Sequence, residues 1–336
     1  MKVVHVLLTS RFAGTERYVV DLATAQVERG YEVTVILRSK AAQDRPDAIA
    51  HRFDPRVRVQ LVSDWLFRWP AVPAARRLIQ QLRPDIAHAH LGSACASLRG
   101  VDVCPRVSTL HIRYKLKHHD HLDGVIAIAP WQMDAVPAQL RAHSVQIDNW
   151  TVPRTVDPEV RQALRRAHGI DDDVFLVGAL GRVEHSKGLD VLVEAFRKAD
   201  LSGARLAIVG HGQAWNAVRA QAGEGVVMPG FATTPEHWMA AFDCFVSAAR
   251  DEPFGLVLLE AMQAGLPIIA TATQGARHLA DAIARPLVKL EDADGLAAAL
   301  RDVYAGGRAR IGYPMDRFRV EQKVLEIEEF YRGLLR

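Results

Sequence analysis

The chain has 336 residues, 49% of them hydrophobic and 24% charged, with a net charge of +3. This is the composition of an ordinary globular protein large enough for two cores. Its three scattered cysteines, Cys95, Cys104 and Cys244, argue against a disulfide framework or a zinc site and fit a reducing cytoplasm. No stretch approaches the length of a membrane span. The net charge hides an asymmetry: residues 1–150 hold 20 Lys and Arg against 14 Asp and Glu, and the remainder holds 22 against 25. The basic half suits an anionic partner, whether a phospholipid surface, a phosphorylated acceptor or a nucleic acid.

Val3 to Leu8 is an apolar run of strand length, too short and too interrupted by His5 for a signal peptide. After the loop Thr9 to Thr15, the residues Tyr18, Val19, Leu22, Ala23, Gln26 and Val27 keep a helical spacing between Glu16 and Arg29, which Gly30 ends. Tyr31 to Leu37 is the next strand. Such a strand–loop–helix–strand unit predicts a parallel sheet with crossover helices. The unit lacks Gly-x-Gly-x-x-Gly, and its second strand ends in Arg38 rather than an acid, so no dinucleotide site is expected.

Residues 40–60 are polar and punctuated by proline, and read as irregular. Asp64 to Pro70 mixes aromatics with arginine ahead of Ala74 to Leu82. A membrane-surface element fits this segment, and an ordinary crossover helix with an exposed lead-in fits it more plainly. Pro84 to His90 reads as a strand whose terminal histidines, His88 and His90, face a loop. Two histidines at i, i+2 could ligate a metal, but no third ligand has suitable spacing nearby, so no metal is expected. Val107 to His111 and Val125 to Pro130 are further strands, and His118-His119-Asp120-His121 reads as a solvated loop.

The chain changes character around Ile147 to Pro153, where the interdomain crossing is placed. An Arg-rich helix, Pro158 to His168, and a solvated turn at Asp171 to Asp173 lead into a second run of the same grammar. It comprises strand Val174 to Leu180, loop Gly181 to Gly188, helix Leu189 to Ala199, a strand from Leu206 with its Gly210-x-Gly212 turn, and strand Val226 to Gly230. Cys244 to Ser247 and Ile268 to Thr271 are two more strands. Between them lies a short helix, Leu256 to Ala264, entered through Pro253-Phe254-Gly255 and closed by Gly265-Leu266-Pro267. The expected architecture is α/β, with two βαβ domains (1–150 and 151–315) on either side of a cleft. A terminal amphipathic helix in residues 316–336 would pack back on the first domain.

Glu260 stands inside the short helix, which is apolar almost all the way round, and Glu252 sits at the strand-to-helix turn. Carboxylates there are costly unless paired. An internal arginine or a loop cap would answer the cost; so would a ligand whose polar groups both glutamates hold. Gly181-Arg182-x4-Lys187-Gly188 provides a counterpart. Its glycines let backbone amides approach a ligand, a helix start favours negative charge, and two cations sit beside it. That constellation suits a diphosphate.

Together these residues resemble the GT-B glycosyltransferases of family 4, group 1 type, retaining enzymes that use nucleotide sugars. The resemblance runs through Ala13 to Arg17, Asp85 to His90, His111, Asn149, Gly181-Arg182 with Lys187-Gly188, and Gly210-x-Gly212. It continues in Glu252 to Gly255 with Glu260, and in Phe330-Tyr331. It implies that Arg182 and Lys187 hold the donor diphosphate and neutralise the leaving group, and that the amide of Gly14 reaches the same phosphates. Glu260 would accept hydrogen bonds from the ribose, and Glu252 would bind hydroxyls of the transferred sugar. The backbone at Phe254, Gly255 and Leu256 would lie near sugar and phosphate, Met228 and Phe231 would flank the base, and His111 would orient or polarise the sugar.

The resemblance also implies no divalent metal, because fixed cations and amide dipoles can stabilise a departing diphosphate. It further implies a same-face mechanism in which the leaving phosphate takes the acceptor's proton. A hexose-type residue would pass to a glycan or lipid-linked acceptor, in bacterial lipopolysaccharide or polysaccharide biosynthesis. The setting would be the cytoplasm, with the basic domain against the inner face of an anionic membrane and no nucleic-acid partner. A nucleotide-sugar isomerase on the same scaffold is the alternative, although no internal acid–base set for it is visible. Three positions depart from the family's pattern. Ala13 replaces a first-loop glycine, Asn149-Trp150-Thr151-Val152 stands where Asn-Gly-Val-Asp is usual, and His278 stands where an acid commonly follows Gly275.

Overall fold

Val3, Val4, Val6 and Leu7 are all fully buried, because their strand is covered on both faces. This strand, β1 (Lys2–Leu7), is an inner strand of a seven-stranded parallel sheet. The others are β2 (Glu32–Arg38), β3 (Arg58–Val62), β4 (Ile86–His90), β5 (Arg106–Leu110), β6 (Gly124–Ala127) and β7 (Val145–Gln146), in the order β3-β2-β1-β4-β5-β6-β7. A second, five-stranded parallel sheet contains β8 (Phe175–Leu180), β9 (Ala204–Val209), β10 (Val226–Gly230), β11 (Cys244–Ser247) and β12 (Ile268–Ala270), ordered β10-β9-β8-β11-β12. The computed structural model describes residues 1–63 and 71–336, so the aromatic and arginine segment from Asp64 to Pro70 lies outside the described residues. Cα packing divides the chain into two units, Met1–Val152 with Phe318–Arg336, and Pro153–Arg317.

Each sheet reverses its strand order once, between β1 and β4 in the first unit and between β8 and β11 in the second. In open parallel sheets such a switch point leaves a crevice beyond the carboxyl ends of the two strands, and ligands bind there. Both switch points carry the polar residues considered below.

One face of the first sheet (Val3, Leu7, Val35, Ile86, Val107) packs against helix Gly14–Glu28 through Tyr18, Val19 and Leu22. It also packs against the terminal helix Val320–Leu334 through Val324, Ile327 and Tyr331. Arg29 fastens these two helices by an ion pair to the buried Glu328 at 2.6 Å. The opposite face (Val4, Val6, Ala87, Ala89, Leu110, Val125) is covered by helices Ala71–Leu82 and Gly92–Leu98. In the second unit, Val177, Ala179, Leu206, Ile208 and Val246 pack with helices Leu189–Ala199 and Ala293–Ala305. Helix Pro158–Ala167 is anchored by arginine: Arg161 and Arg165 reach the buried Asp243 at 2.7 and 3.3 Å. Asp243 also accepts from the Leu176 amide at 2.8 Å.

Four expectations are corrected. Residues 40–60 are not irregular throughout, since Arg58–Val62 forms an edge strand whose backbone pairs with β2 from Thr34 to Arg38. His88 and His90 do not face a loop. They are fully buried within the sheet's helix-covered face, where polar side chains from other elements satisfy them. The stretch 118–121 is not a solvated loop: it overlaps the short helix Leu116–His119, His119 is buried, and His121 Nε2 bonds to the Cys95 carbonyl at 2.8 Å. Helix Leu256–Gln263 is only partly buried, with Leu256, Val257 and Glu260 half-exposed, so Glu260 meets a milder environment than its apolar neighbours suggest.

Candidate functional site

At the second switch point β8 ends in Leu180 and the chain runs through Gly181 and Arg182 into a single tight turn, His185–Lys187, before helix Leu189–Ala199. Gly188 makes that entry possible. Its φ is +59°, and a Cβ there would stand 2.0 Å from the Ala248 carbonyl oxygen, at the end of the neighbouring strand β11. The two strand-end loops are then stitched together. The Ser186 carbonyl accepts from the amides of Arg250 and Asp251 at 2.8 and 3.2 Å. Arg250 forks onto both carboxylate oxygens of Asp190 at 2.7 Å each, pairs with Glu291, and donates to the His185 carbonyl at 2.7 Å. Paired carboxylates on both sides push the Arg250 pKa up.

This clamp brings Lys187 and Glu252 together from 65 residues apart, with Lys187 Nζ donating to Glu252 Oε2 at 2.6 Å. Their side chains are 25% and 14% exposed, so the pair lies at the mouth of a depression rather than in the core. Ala179, Gly181, Ile208, Val246, Ser247 and Val257 line its floor, and Arg182 stands on its rim. Arg182 is 64% exposed and forms a surface pair with Glu184 at 2.8 Å. Such a pair contributes little to stability, so the guanidinium can turn toward an incoming anion at small cost. A lysine with one carboxylate partner still has two further N–H donors to offer. Two cations at the ends of parallel strands, backed by one carboxylate, form a chemistry that binds phosphate on one side and hydroxyl groups on the other.

The remaining residues of the Glu252 loop are placed by packing. The Phe254 side chain is buried, Gly255 takes a left-handed φ of +96° as the N-cap, and Leu256 begins the helix. Gly275 presses on this loop: its amide donates to the Glu252 carbonyl at 2.9 Å, and a Cβ there would lie 2.4 Å from the Phe254 backbone. Glu260 lies one helical turn along and does not line the depression floor. Met228 and Phe231 lie at the carboxyl end of β10, with Phe231 47% exposed, and are likewise apart from it. Asp292 caps helix Ala293–Ala305 by accepting from the Gly295 amide, a structural use of that acid.

Gly14 and His111 belong to the first unit, around the other switch point. Gly14 opens helix Gly14–Glu28, whose entry is tied by Glu16 accepting from the Ala13 amide at 2.9 Å. His111 follows β5, and β4 ends beside it in a strained residue. Leu91 holds φ +72° and ψ 161°, a region that normally belongs to glycine. Behind these positions lies a histidine cluster that spacing along one strand did not reveal. His5, on β1, joins His88 and His90, and the three rings bring ligand nitrogens within 4.8 Å of one another. The third histidine comes from a neighbouring strand, so it is invisible to a search along the sequence.

All six ring nitrogens of the trio nonetheless have hydrogen-bonding partners. His5 meets Gln26 at 2.7 Å and His90 at 3.1 Å, His88 meets Tyr331 at 2.6 Å and Thr109 at 2.8 Å, and His90 meets His111 at 3.1 Å. Burial lowers the pKa of His5 to about 4 and that of His111 to about 3, and lowers those of His88 and His90 as well. Arg250 and Asp190 were also missed in the sequence, where the signal was no more than a charge a few residues past a buried strand and an acid in a helix's first turn. His5 and Gln26 did leave a trace, as polar residues at positions whose spacing is otherwise apolar.

Two family models match the chain, one described as Glycosyltransferase Family 4 over residues 12–177 and one as Glycosyl transferases group 1 over residues 171–305. The D-inositol 3-phosphate glycosyltransferase of Pseudarthrobacter chlorophenolicus is 28% identical, over 78% of this chain and 74% of that protein. The lipopolysaccharide core biosynthesis glycosyltransferase LpsE of Rhizobium meliloti is 26% identical over 92% of this chain and 91% of its own length. Among solved structures, the Anabaena protein Alr3699/HepE in complex with UDP and glucose superposes with a TM-score of 0.83 at 20% identity. That match spans 99% of this chain and all of the other.

Proposed function

The chain belongs to the group 1 glycosyltransferases of family 4 and has their GT-B fold. From that premise we propose that it moves a hexose-type residue from a nucleotide-diphosphate sugar to a glycan or lipid-linked acceptor, with retention at the anomeric carbon. The observation that carries this reading is the meeting of Lys187, Arg182 and Glu252 at the second switch point. Lys187 and Arg182 bind the diphosphate and stabilise it as it leaves, a task that fixed cations perform without a divalent ion. Glu252 holds hydroxyls of the transferred sugar while neutralising the inner side of Lys187. Glu260 takes the ribose, the backbone from Phe254 to Leu256 lies along sugar and phosphate, and Met228 and Phe231 flank the base. Gly14 and His111, both of the first unit, are the residues this reading would give to phosphate and sugar. In the step itself the bond from the anomeric carbon to the phosphate oxygen breaks and a bond to the acceptor oxygen forms on the same face. The acceptor's proton passes to the departing phosphate.

The names of several relatives point to the pathway. LpsE and LpsB of Rhizobium meliloti are named for lipopolysaccharide core biosynthesis, and an envelope glycan or glycolipid is accordingly the proposed acceptor class. An anionic membrane surface suits the basic half of the chain. Thermal stabilisation against a panel of UDP-, GDP- and ADP-sugars tests the donor: a ligand at 100 times its Kd adds roughly 2.7 kcal/mol. No stabilisation by any of them would overturn the reading. Lys187→Ala is expected to weaken nucleoside diphosphate binding by about tenfold or more, the worth of a charge-assisted hydrogen bond. Unchanged affinity by titration calorimetry would remove Lys187 from the diphosphate site.

A further inference from the structure

A file of hydrogen bonds runs through the core of the first unit and surfaces at His111. Gln26 Oε1 lies 2.7 Å from His5 Nε2, His5 Nδ1 lies 3.1 Å from His90 Nε2, and His90 Nδ1 lies 3.1 Å from His111 Nε2. Gln26, His5 and His90 are completely buried, and the rings follow one another at centroid spacings of 5.3 Å. Adjacent strands set the geometry, with His5 opposite His88 and Leu7 opposite His90 in the β1–β4 register. His88 stands outside the file, with its own nitrogens taken by Tyr331 and Thr109.

A neutral imidazole has one N–H and one lone pair, so a row of them has a direction. An amide oxygen only accepts. His5 must therefore carry its proton on Nε2, which leaves Nδ1 as an acceptor. His90 must then donate from Nε2, and its own Nδ1 accepts. His111 in turn must donate from Nε2. Burial keeps the rings neutral, as the low pKa values of His5, His90 and His111 indicate.

We propose that Gln26, His5 and His90 are positioning residues that lock His111 in its Nε2–H tautomer, so that its Nδ1 meets a ligand only as a hydrogen-bond acceptor. The proposal rests on the reading of His111 as a sugar-facing residue and specifies what that residue can take. Its partner is a sugar hydroxyl acting as donor. His111 holds that hydroxyl in place and has no proton to give it. A carbonyl or carboxylate substituent at the same point of the sugar would meet a lone pair instead and be rejected.

The test uses the full chain labelled with 15N-histidine and long-range proton–nitrogen correlation spectra at pH 7.5, with the His111 signals assigned by their loss in His111→Gln. The expected wild-type spectrum shows His111 protonated at Nε2 and unprotonated at Nδ1. Gln26→Leu and His90→Phe each cut the file, and each should return His111 to a tautomer mixture. In both, kcat for sugar transfer should fall about tenfold, the value of one hydrogen bond, while nucleoside diphosphate affinity stays unchanged. A wild-type His111 protonated at Nδ1 overturns the proposal, and so does a His111 that remains wholly Nε2–H in both variants. The wild-type spectrum tests the tautomer even if a variant fails to fold. His111→Ala separates the two readings: undiminished transfer there would end the sugar-facing role, while the tautomer assignment would still be decided by the spectrum.

Discussion

Glu252 is where the chemistry and the electrostatics of the second unit can be told apart. Its Oε2 neutralises Lys187 at 2.6 Å, and on the proposed reading its other oxygen holds the sugar. Removing the carboxylate would leave the Lys187 ammonium without its inner partner, and a diphosphate would then compete for it with nothing. Glu252→Ala is therefore expected to bind the bare nucleoside diphosphate as tightly as the native chain or a few fold more tightly. Sugar transfer should drop about tenfold to a hundredfold, the range for losing a hydrogen bond to a charged group. Calorimetry with the nucleotide, set beside initial rates with the nucleotide sugar, checks this. Parallel losses in both would show that Glu252 organises the whole loop instead. At this scale the sequence was informative where a residue broke a local rule. Glu252 and Glu260 interrupted an apolar context, and Arg182 and Lys187 flanked a glycine-bounded turn. The clamp by Arg250 and Asp190 broke no such rule, because a charge at a strand end and an acid in a helix's first turn are both ordinary.

The elements were legible from length and punctuation: buried strands such as Lys2–Leu7 and Cys244–Ser247 are short apolar runs bounded by turn residues. What could not be read was which strands are neighbours, because sheet order is decided by contacts far apart in sequence. His5 meets His90 only because β1 and β4 are adjacent, and Arg58–Val62 becomes a strand only because β2 offers it an open edge. Strand pairing also has a consequence for stability. His5, His88 and His90 are fully buried with pKa values lowered by burial, that of His5 to about 4. The ordinary value in an unfolded chain is near 6.5. Between these limits the unfolded chain binds more protons than the folded one, so stability is intact above about pH 6.5 and declines as pH falls toward 4. Each such histidine contributes a slope of up to about 1.4 kcal/mol per pH unit. The first unit should accordingly melt at a clearly lower temperature at pH 5.0 than at pH 7.5, and calorimetric scans showing the same Tm at both would refute it. In the second unit the corresponding weak point is Asp243, buried between Arg161 and Arg165. Asp243→Ala leaves the buried Arg165 without its carboxylate, and a cost of about 3–5 kcal/mol is expected. The denaturation midpoint would read it, and a loss under 1 kcal/mol would mean that the backbone carbonyls around Arg165 suffice.

For the molecule as a whole, the chain makes the first unit, passes into the second at Pro153, and returns at Phe318 to complete the first with its terminal helix. The first unit depends on that return, since Tyr331 supplies both an apolar ring to the core and the hydroxyl that His88 bonds. No helix among the described residues is long and apolar enough to cross a membrane; on the proposed reading a lipid-linked acceptor would be met at a charged surface. Charge is distributed to suit that. The first 150 residues hold 20 basic against 14 acidic side chains. After His111 the chain displays Ile112 at 49% and Leu116 at 64% exposure, interleaved with Arg113, Lys115 and Lys117, all three exposed. Apolar residues set among cations match a surface of anionic headgroups over acyl chains. The protein is expected to sediment with vesicles containing an anionic phospholipid and to stay in solution with purely zwitterionic ones. Binding should weaken as salt rises, because the screening length shrinks from roughly 10 Å at 0.1 M to 3 Å at 1 M. Replacing Arg113, Lys115 and Lys117 together by Ser removes about 1 kcal/mol per charge, roughly a hundredfold in vesicle affinity over the three. On the proposed reading the affinity for a nucleotide sugar should not change. Equal binding to neutral and anionic vesicles, or a triple variant that binds as the native chain does, would mean that the basic surface serves something other than a membrane.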